Sequence, residues 1–274
     1  MFYMNKKRTA FPFRLTVQTI LKNREQLNEF EDHLALLHQI GFYGIELNLP
    51  DLQVLTPNEL KKVLKKHDLA LTYIATGAFA KERGYSLSTS DAEIRAASVN
   101  GVLENAAFAK EMGAGVILGF FKGGPSADSS DPELYLEKSL REICDQKPRM
   151  VPVLLEATNR KETSVVHRIS EGVKITSAVQ NPDLFVLPDT YHMAFEENDM
   201  ADAVVENLSL IKNIHLSDNN RFFPGFGTID FKMFLSTLLR CGYSGTLGIE
   251  GNIKSSFSDD IRESFAFLNS LSIS

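Results

Sequence analysis

Several classes of protein are disfavoured by what this sequence lacks. Its two cysteines, Cys144 and Cys241, are far apart and form no C-x-x-C or zinc-finger spacing, so we expect free thiols in a reducing compartment. No run approaches the ~20 apolar residues of a membrane helix, and residues 1–13 have no signal-peptide core of roughly 7–15 apolar residues. Lys and Arg number 29 against 35 Asp and Glu, which disfavours binding to a phosphate backbone. We expect a cytoplasmic protein that acts on a small molecule and binds neither nucleic acid nor membrane.

What the sequence does contain is a repeated alternation of short apolar runs and longer amphipathic segments. The runs are nearly continuous in Val, Ile, Leu, Thr and Tyr, which is typical of strands buried on both faces of a parallel sheet. They predict strands at 13–18, 44–48, 70–75, 115–119, 151–156, 184–189, 213–217 and 246–250. The segments between and after them predict helices at 24–40, 57–66, 93–112, 135–146, 164–179, 200–209, 231–242 and 259–271.

Eight strand–helix pairs in strict alternation predict an α/β fold, a single (β/α)8 TIM barrel with parallel strands. The length of 274 residues lies near the ~250 typical of such barrels. An open, doubly wound sheet is the competing arrangement, but the first strand–helix turn reads VQTI at 17–20 and lacks the G-x-G-x-x-G fingerprint. No composition shift marks a linker. We therefore expect one barrel domain over residues 1–274, with 1–12 as an N-terminal extension.

Polar side chains stand at the ends of four successive predicted strands. Glu156 ends the fifth strand, Asp189 the sixth and Glu250 the eighth, while His215 lies in the seventh. The carboxyl ends of barrel strands meet at one rim, where the active sites of TIM barrels are built. A charge that directly follows apolar residues is costly to desolvate unless something compensates it. A shared divalent cation would compensate all three carboxylates.

Taken singly, an Asp or Glu at a strand end is more often a helix N-cap or a solvated rim residue. Four such groups from consecutive strands are harder to explain by capping, and we expect joint metal ligation. Three carboxylates with one imidazole suit Mn²⁺, Mg²⁺ or Co²⁺ better than a metal selected by thiolates. His33, His38, His67 and His167 fall on the helical stretches, where surface or packing roles are expected.

Three stretches that include or follow these residues resemble a known family. EATNRKET (156–163), DTYHMAFEE (189–197) and HLSDNNRFFPGFGTIDF (215–231) are similar to the xylose-isomerase-like TIM-barrel superfamily of sugar phosphate isomerases and epimerases. Within it they are closest to the ketose 3-epimerases of the D-tagatose/D-psicose type. The resemblance is close over about residues 150–252 and rests only on the strand–helix pattern before that.

The resemblance implies a metal-dependent sugar isomerase or epimerase, which acts through a cis-enediolate and most closely matches C3 epimerisation of a ketose. The implied ligands of one divalent metal ion, Mn²⁺ first with Mg²⁺, Co²⁺ or Zn²⁺ as alternatives, are Glu156, Asp189, His215 and Glu250. The residues implied to hold the substrate's O1 and O2 are Glu162, His192 and Arg221. Glu156 and Glu250 are implied to be the catalytic pair that transfers protons on opposite faces of the sugar. Relatives of this kind are often dimers or tetramers, so a homo-oligomer is expected.

Other polar and aromatic residues near these strand ends permit two interpretations. Asp218 is either a partner of the rim residues or purely structural, and for Glu46 we favour a structural role over one in the pocket. Lys122, in the glycine-rich loop 119–125, suits either an ordinary loop or a phosphate cradle. Phe79, Phe120 and Phe121 are candidates for an apolar wall over the sugar.

Alternative functions within and beyond the superfamily stay open. Hydroxypyruvate-isomerase-like enzymes and inosose isomerases or dehydratases share the metal ligands, and the absence of tryptophan departs from many ketose 3-epimerases and leaves the sugar undecided. An endonuclease IV-like AP endonuclease is disfavoured by the acidic balance and by the lack of extra histidines at the ends of the third and fourth strands. A non-catalytic sugar-binding barrel is disfavoured because the ligand set is complete.

Overall fold

A computed structural model describes residues 11–125 and 130–274 of the chain. Within these ranges, eight strands lie close to their predicted positions. They are β1 (Arg14–Ile20), β2 (Gly44–Asn48), β3 (Ala70–Ala75), β4 (Gly115–Leu118), β5 (Val153–Glu156), β6 (Leu184–Leu187), β7 (Asn213–Leu216) and β8 (Thr246–Ile249).

The strands form one parallel sheet that closes almost completely into a barrel. Neighbouring strands follow chain order from β1 to β6, and β1 also pairs with β8, which pairs with β7. The remaining seam, between β6 and β7, is bridged at Val186–Ile211 and Asp189–His215. The predicted TIM barrel is therefore confirmed.

Helices between the strands pack around this sheet. They are α1 (Leu27–Ile40), α2 (Pro57–Lys66), α3 (Gly77–Arg83), α4 (Ala92–Met112), α5 (Pro132–Gln146), α6 (Ile169–Val179), α7 (Thr190–Glu196), α8 (Met200–Glu206), α9 (Phe231–Arg240) and α10 (Phe257–Ser270). Among the described residues, no helix combines the length and the apolar character needed to cross a membrane.

Local sequence explains most helix ends. The side chain of Thr56 caps α2 and exchanges hydrogen bonds with Glu59 in a capping box, and Gly113 ends α4 with φ of 67°. Our prediction of a helix from residue 164 was wrong, since residues 164–168 form a turn in which Val166 has φ of 58° and α6 begins only at residue 169.

The two helices that we did not predict, α3 and α7, each span seven residues and directly follow the rim. Segments this short carry little periodic signal, because two turns of helix hold only a few apolar positions.

The interior of the barrel is divided into an apolar and a polar half. Side chains on β3 to β6 form a small separate apolar cluster, which comprises Tyr73, Ile117, Leu154 and Leu187. Across from them, strands β1, β2, β7 and β8 contribute a buried polar network, which comprises Thr16, Glu46, Asn213, His215 and Thr246. The main core lies between the sheet and the helices. The polar half leads to the C-terminal rim of the strands, where the predicted site lies.

Candidate active site

The structure brings the four predicted ligands together at the C-terminal rim. Glu156 is the last residue of β5, Asp189 caps α7, His215 lies within β7, and Glu250 directly follows β8. One candidate ligand atom from each residue lies within 4.8 Å of all the others. Asp189, His215 and Glu156 are buried, at 0%, 1% and 6% exposure. Three carboxylates so close together repel one another, and a cation among them removes that repulsion.

His215 is oriented from below by Glu46. Glu46 is fully buried in β2 and accepts hydrogen bonds from Nε2 of His215 at 2.8 Å and from the side-chain amide of Asn213 at 2.7 Å. Gly248, on β8, leaves room for this carboxylate, because a Cβ there would overlap its Oε1 atom. With a proton on Nε2, the imidazole directs the lone pair of Nδ1 toward the rim. In metal sites of proteins, a carboxylate that accepts a hydrogen bond from the other ring nitrogen commonly orients a metal-binding histidine in this way.

The cluster contains two polar atoms that make no hydrogen bond. Nδ1 of His215 and Oε2 of Glu250 are both buried without a hydrogen-bond partner, although they lie 2.7 Å apart. Oε1 of Glu156 is 3.7 Å from the same Nδ1 atom. Buried polar atoms are normally paired, so an imidazole nitrogen without a hydrogen-bond partner beside two carboxylates suits the binding of a positive ion. The donor set, one nitrogen with carboxylate oxygens, fits a divalent cation.

Two of the three carboxyl groups of the cluster, those of Glu156 and Glu250, have pKa values shifted in opposite directions. Burial raises the pKa of Glu156. For Glu250, burial acts in the same direction but is outweighed by Arg221 and His215, which lower its pKa well below the usual range. A pair of carboxyl groups whose environments separate their pKa values is suited to act as acid and base.

His192 is held as a neutral hydrogen-bond donor. Its Nδ1 atom accepts from the backbone N–H of Asn159 at 3.2 Å and lies 2.8 Å from the side-chain amide of the same residue. Burial lowers the pKa of His192 to about 4, so the ring carries one proton near neutral pH, on Nε2. This atom lies 3.9 Å from Oε1 of Glu156 and 3.8 Å from Oδ2 of Asp189. It therefore presents a donor beside the cluster.

Arg221 reaches the cluster from the loop after β7. Its guanidinium donates to Oδ2 of Asp189 at 2.5 Å and lies 3.3 Å from Oε2 of Glu250. The backbone of Arg221 has φ of 64°, a conformation that non-glycine residues rarely adopt. Buried Asp218 holds the following chain in place, since it accepts from the backbone N–H groups of Gly225, Gly227 and Ile229. Asp218 therefore shapes the loop that carries Arg221: its carbonyl accepts from the backbone N–H of Arg221 at 2.9 Å, while the guanidinium pairs with Asp189 and Glu250.

A cavity of about 120 Å³ lies above the cluster. The predicted residues that line it are Glu156, Glu162, His192, Arg221 and Glu250. The sequence did not point to five other polar residues of its wall, which are Gln18, Asn48, Thr76, Thr158 and Thr163. Gln18 and Asn48 lie near the ends of β1 and β2. A search for polar residues at the ends of the first strands, as was done for the last four, would have found them.

One prediction for this rim was wrong in part, and one of the two interpretations of Lys122 does not hold. Phe120 lines the cavity, but Phe79 and Phe121 do not; both are buried in the core, with ring centroids 6.2 Å apart. Lys122 does not face the cavity as a phosphate cradle would require, because it is fully buried and its ammonium donates to the hydroxyl of Thr158. The turn Phe120–Lys122 directs the side chains of Phe121 and Lys122 into the protein interior.

A larger cavity, of about 1290 Å³, lies at the opposite end of the barrel. It is lined by residues at the starts of strands, among them Ala70, Gly115 and Thr246. This face of a TIM barrel contributes to stability and does not carry the catalytic groups. The smaller cavity is the one that the predicted site residues line.

Comparisons with known proteins agree with the fold. The ketose 3-epimerase of Arthrobacter globiformis is 31% identical over 111 residues, 40% of this chain and 38% of that protein. The L-ribulose 3-epimerase of Mesorhizobium japonicum is 26% identical over 239 residues, 85% of this chain and 77% of that protein. A solved structure of an L-ribulose 3-epimerase superposes with a TM-score of 0.82 at 20% identity, covers 93% of both chains, and supports the fold.

The match to the Arthrobacter protein spans less than half of that relative's length. The family model described as "Xylose isomerase-like TIM barrel" matches residues 34–271, most of the chain. The matched residues include the four cluster residues at the strand ends, Glu156, Asp189, His215 and Glu250. The chain therefore belongs to the xylose isomerase-like TIM barrel family.

Proposed function

We propose that this protein is a divalent-metal-dependent ketose 3-epimerase. The observation that carries the proposal is the placement of Glu156 and Glu250, which reach the same cluster from β5 and β8 and line the same cavity. Two similar proteins are named ketose 3-epimerase and L-ribulose 3-epimerase, and these names support the same reaction class.

Epimerisation next to a carbonyl requires removal of a weakly acidic proton and its return to the opposite face. A bound divalent metal would polarise the carbonyl and the neighbouring hydroxyl oxygen. One carboxylate takes the proton from C3, and the C–H electron pair moves toward the carbonyl to give an enediolate. The other glutamate, present as the carboxylic acid, then gives its proton to C3 from the opposite face and is left as the carboxylate. The configuration of the substrate decides which of Glu156 and Glu250 acts first.

Three further residues are suited to hold the sugar. The Nε2–H group of neutral His192 and the guanidinium of Arg221 are donors that can stabilise the charge developing on the enediolate oxygens. Glu162 lines the cavity and can accept from a substrate hydroxyl. Two proton carriers favour inversion at one carbon over migration of the carbonyl, for which one carrier is enough.

The test is deuterium exchange in D₂O. Metal-free and Mn²⁺-loaded protein are incubated with a panel of free ketoses and ketose phosphates, quenched with EDTA and analysed by NMR. Metal-dependent deuterium at C3 together with a new epimer supports the proposal. An aldose product with label at C1 or C2 assigns an isomerase, and no exchange with any sugar contradicts the proposal. Manganese as the metal, a cytoplasmic location and a homo-oligomeric state stay predictions of the sequence.

A further inference from the structure

Lys122 is a buried cation beside the cavity that the proposed mechanism does not use. It ends the turn Phe120–Lys122 after β4, and its side chain is fully buried. Within the described residues it forms no ion pair, and its ammonium donates to Oγ1 of Thr158. Burial lowers its pKa to about 7, although the negative charges of Glu156 and Glu162 act in the opposite direction. A buried charge without an ion-pair partner destabilises a fold, so stability alone does not explain this lysine.

The ammonium of Lys122 determines which hydroxyl group donates at each step of a hydrogen-bond chain through Thr158 and Thr163. Oγ1 of Thr158 lies 2.7 Å from Oγ1 of Thr163, and the latter hydroxyl can donate to the carbonyl of Val165 at 3.2 Å. The protonated form of Lys122 can only donate, so in that form the hydrogen of Thr158 is left to point at Thr163, and that of Thr163 at Val165. Both threonines line the cavity. One buried charge therefore orders part of the cavity wall.

The segment that Lys122 fixes, residues 158–163, carries two groups of the candidate site. Asn159 holds Nδ1 of His192 through its backbone N–H and its side-chain amide. The backbone N–H of Glu162 donates to the carbonyl of Asn159 at 3.0 Å. A shift of Thr158 would thus be transmitted to Asn159 and Glu162, which follow it in the same turn.

We propose, resting on the proposed function, that Lys122 is a positioning residue for the sugar. Its ammonium fixes Thr158 and thereby segment 158–163, which sets the carboxylate of Glu162 and the Nε2–H group of His192 against the substrate. Lys122 itself touches no substrate atom. Its loss should weaken the hold of Glu162 on the bound sugar, which raises KM, and the contact of His192 with the developing charge, which lowers kcat, so kcat/KM falls.

The kinetic test combines three substitutions, assayed with the ketose that the wild-type protein converts best. Lys122→Met and Thr158→Val should each raise KM and lower kcat, so that kcat/KM falls by about tenfold. Thr158→Ser keeps the hydroxyl and should stay within about threefold of wild type. The double variant Lys122→Met/Thr158→Val should be no worse than the more affected single variant, because both changes remove the same interaction. Fully additive effects overturn the proposal.

Lys147 offers a matched control. It is a second buried lysine, it pairs with Asp183 at 2.8 Å, and it lies far from the cavity, toward the opposite end of the barrel. Lys147→Met should lower Tm and leave KM and kcat unchanged. A purely structural Lys122 would give the same pattern in Lys122→Met, and that outcome overturns the proposal. If Lys122→Met does not fold, Thr158→Val decides, since it keeps the shape of the side chain.

A second readout does not depend on turnover. In ¹⁵N-histidine NMR spectra of the Mg²⁺-loaded protein, Nδ1 of His192 should show an accepted hydrogen bond in the wild type, Thr158→Ser and Lys147→Met. Lys122→Met and Thr158→Val should lose this signature. An unchanged His192 signal in both variants overturns the proposal. A wild-type protein that exchanges no sugar contradicts only the proposed function, because the NMR comparison still decides whether Lys122 positions His192.

Discussion

Glu46 and His215 lie 169 residues apart in the chain, yet their side chains form one buried pair inside the barrel, 2.8 Å from Nε2 to Oε2. Neither residue is a loop residue, since both lie within strands, β2 and β7. The pair therefore ties one residue of the cluster, His215, to a strand on another side of the barrel. It also decides which imidazole nitrogen faces the cluster, because the nitrogen that donates to Glu46 is unable to bind a metal.

Glu46→Gln is therefore expected to weaken metal binding without removing any ligand. His215, Asn213 and Thr16 all donate hydrogen bonds to the carboxylate of Glu46. The amide of glutamine replaces one of the accepting oxygens by an NH₂ group, which cannot accept these hydrogen bonds. The Mn²⁺ Kd, measured by titration calorimetry, should rise by about 10- to 100-fold. Glu59→Gln, in the capping box of α2, is the control that should keep the wild-type Kd. An unchanged Kd in Glu46→Gln would show that Glu46 only packs the barrel.

Glu156→Gln and Glu250→Gln are each expected to abolish epimerisation, because inversion needs a proton carrier on both faces of the sugar. The rate should fall by at least about 10²-fold, while circular dichroism shows an intact fold. Glu137→Gln replaces an exposed carboxylate on α5 that pairs with Arg141 and should retain full activity. Near-normal turnover in either site variant would contradict the two-carboxylate mechanism.

Metal binding is expected to strengthen as pH rises. Burial disfavours a charged His215, but the carboxylates of Glu46 and Glu250 outweigh it and raise the pKa of His215 well above its usual range. A proton on Nδ1 then competes with the metal, and raising the pH removes this competitor. The Mn²⁺ Kd should fall between about pH 6 and about pH 8, with proton release on binding. Calorimetry in buffers of different ionisation enthalpy measures that release, and a pH-independent Kd would contradict the assignment of His215 as a ligand.

Gly119→Ala is expected to disturb the cluster from the neighbouring strand. Gly119 directly follows β4, and a Cβ at this position would overlap Oε2 of Glu156. The carboxylate must then move, so both metal affinity and epimerisation should decrease. Gly124→Ala, in the same loop, is the matched control, because among the described residues its Cβ would meet only the ring of Phe120, at 4.0 Å. Equal behaviour of the two variants in calorimetry and in the exchange assay would show that Gly119 makes no room for Glu156.

The sequence alone was enough to predict the barrel and the convergence of the four cluster residues. Buried parallel strands have a strong local signal, a continuous apolar run, and the barrel brings all their carboxyl ends to one rim. Positions 156, 189, 215 and 250 could therefore be placed together without any knowledge of distances.

Only the tertiary structure decided how individual side chains use that rim. Whether Glu46 supports His215, whether Lys122 faces the cavity or the core, and whether Phe79 and Phe121 cover a sugar all depend on contacts between distant segments. Local periodicity reports that a residue is buried, but not which partner buries it. Hydrogen-bond pairing and burial inside a closed barrel are set by the whole fold, and so they could not be read from the strands one at a time.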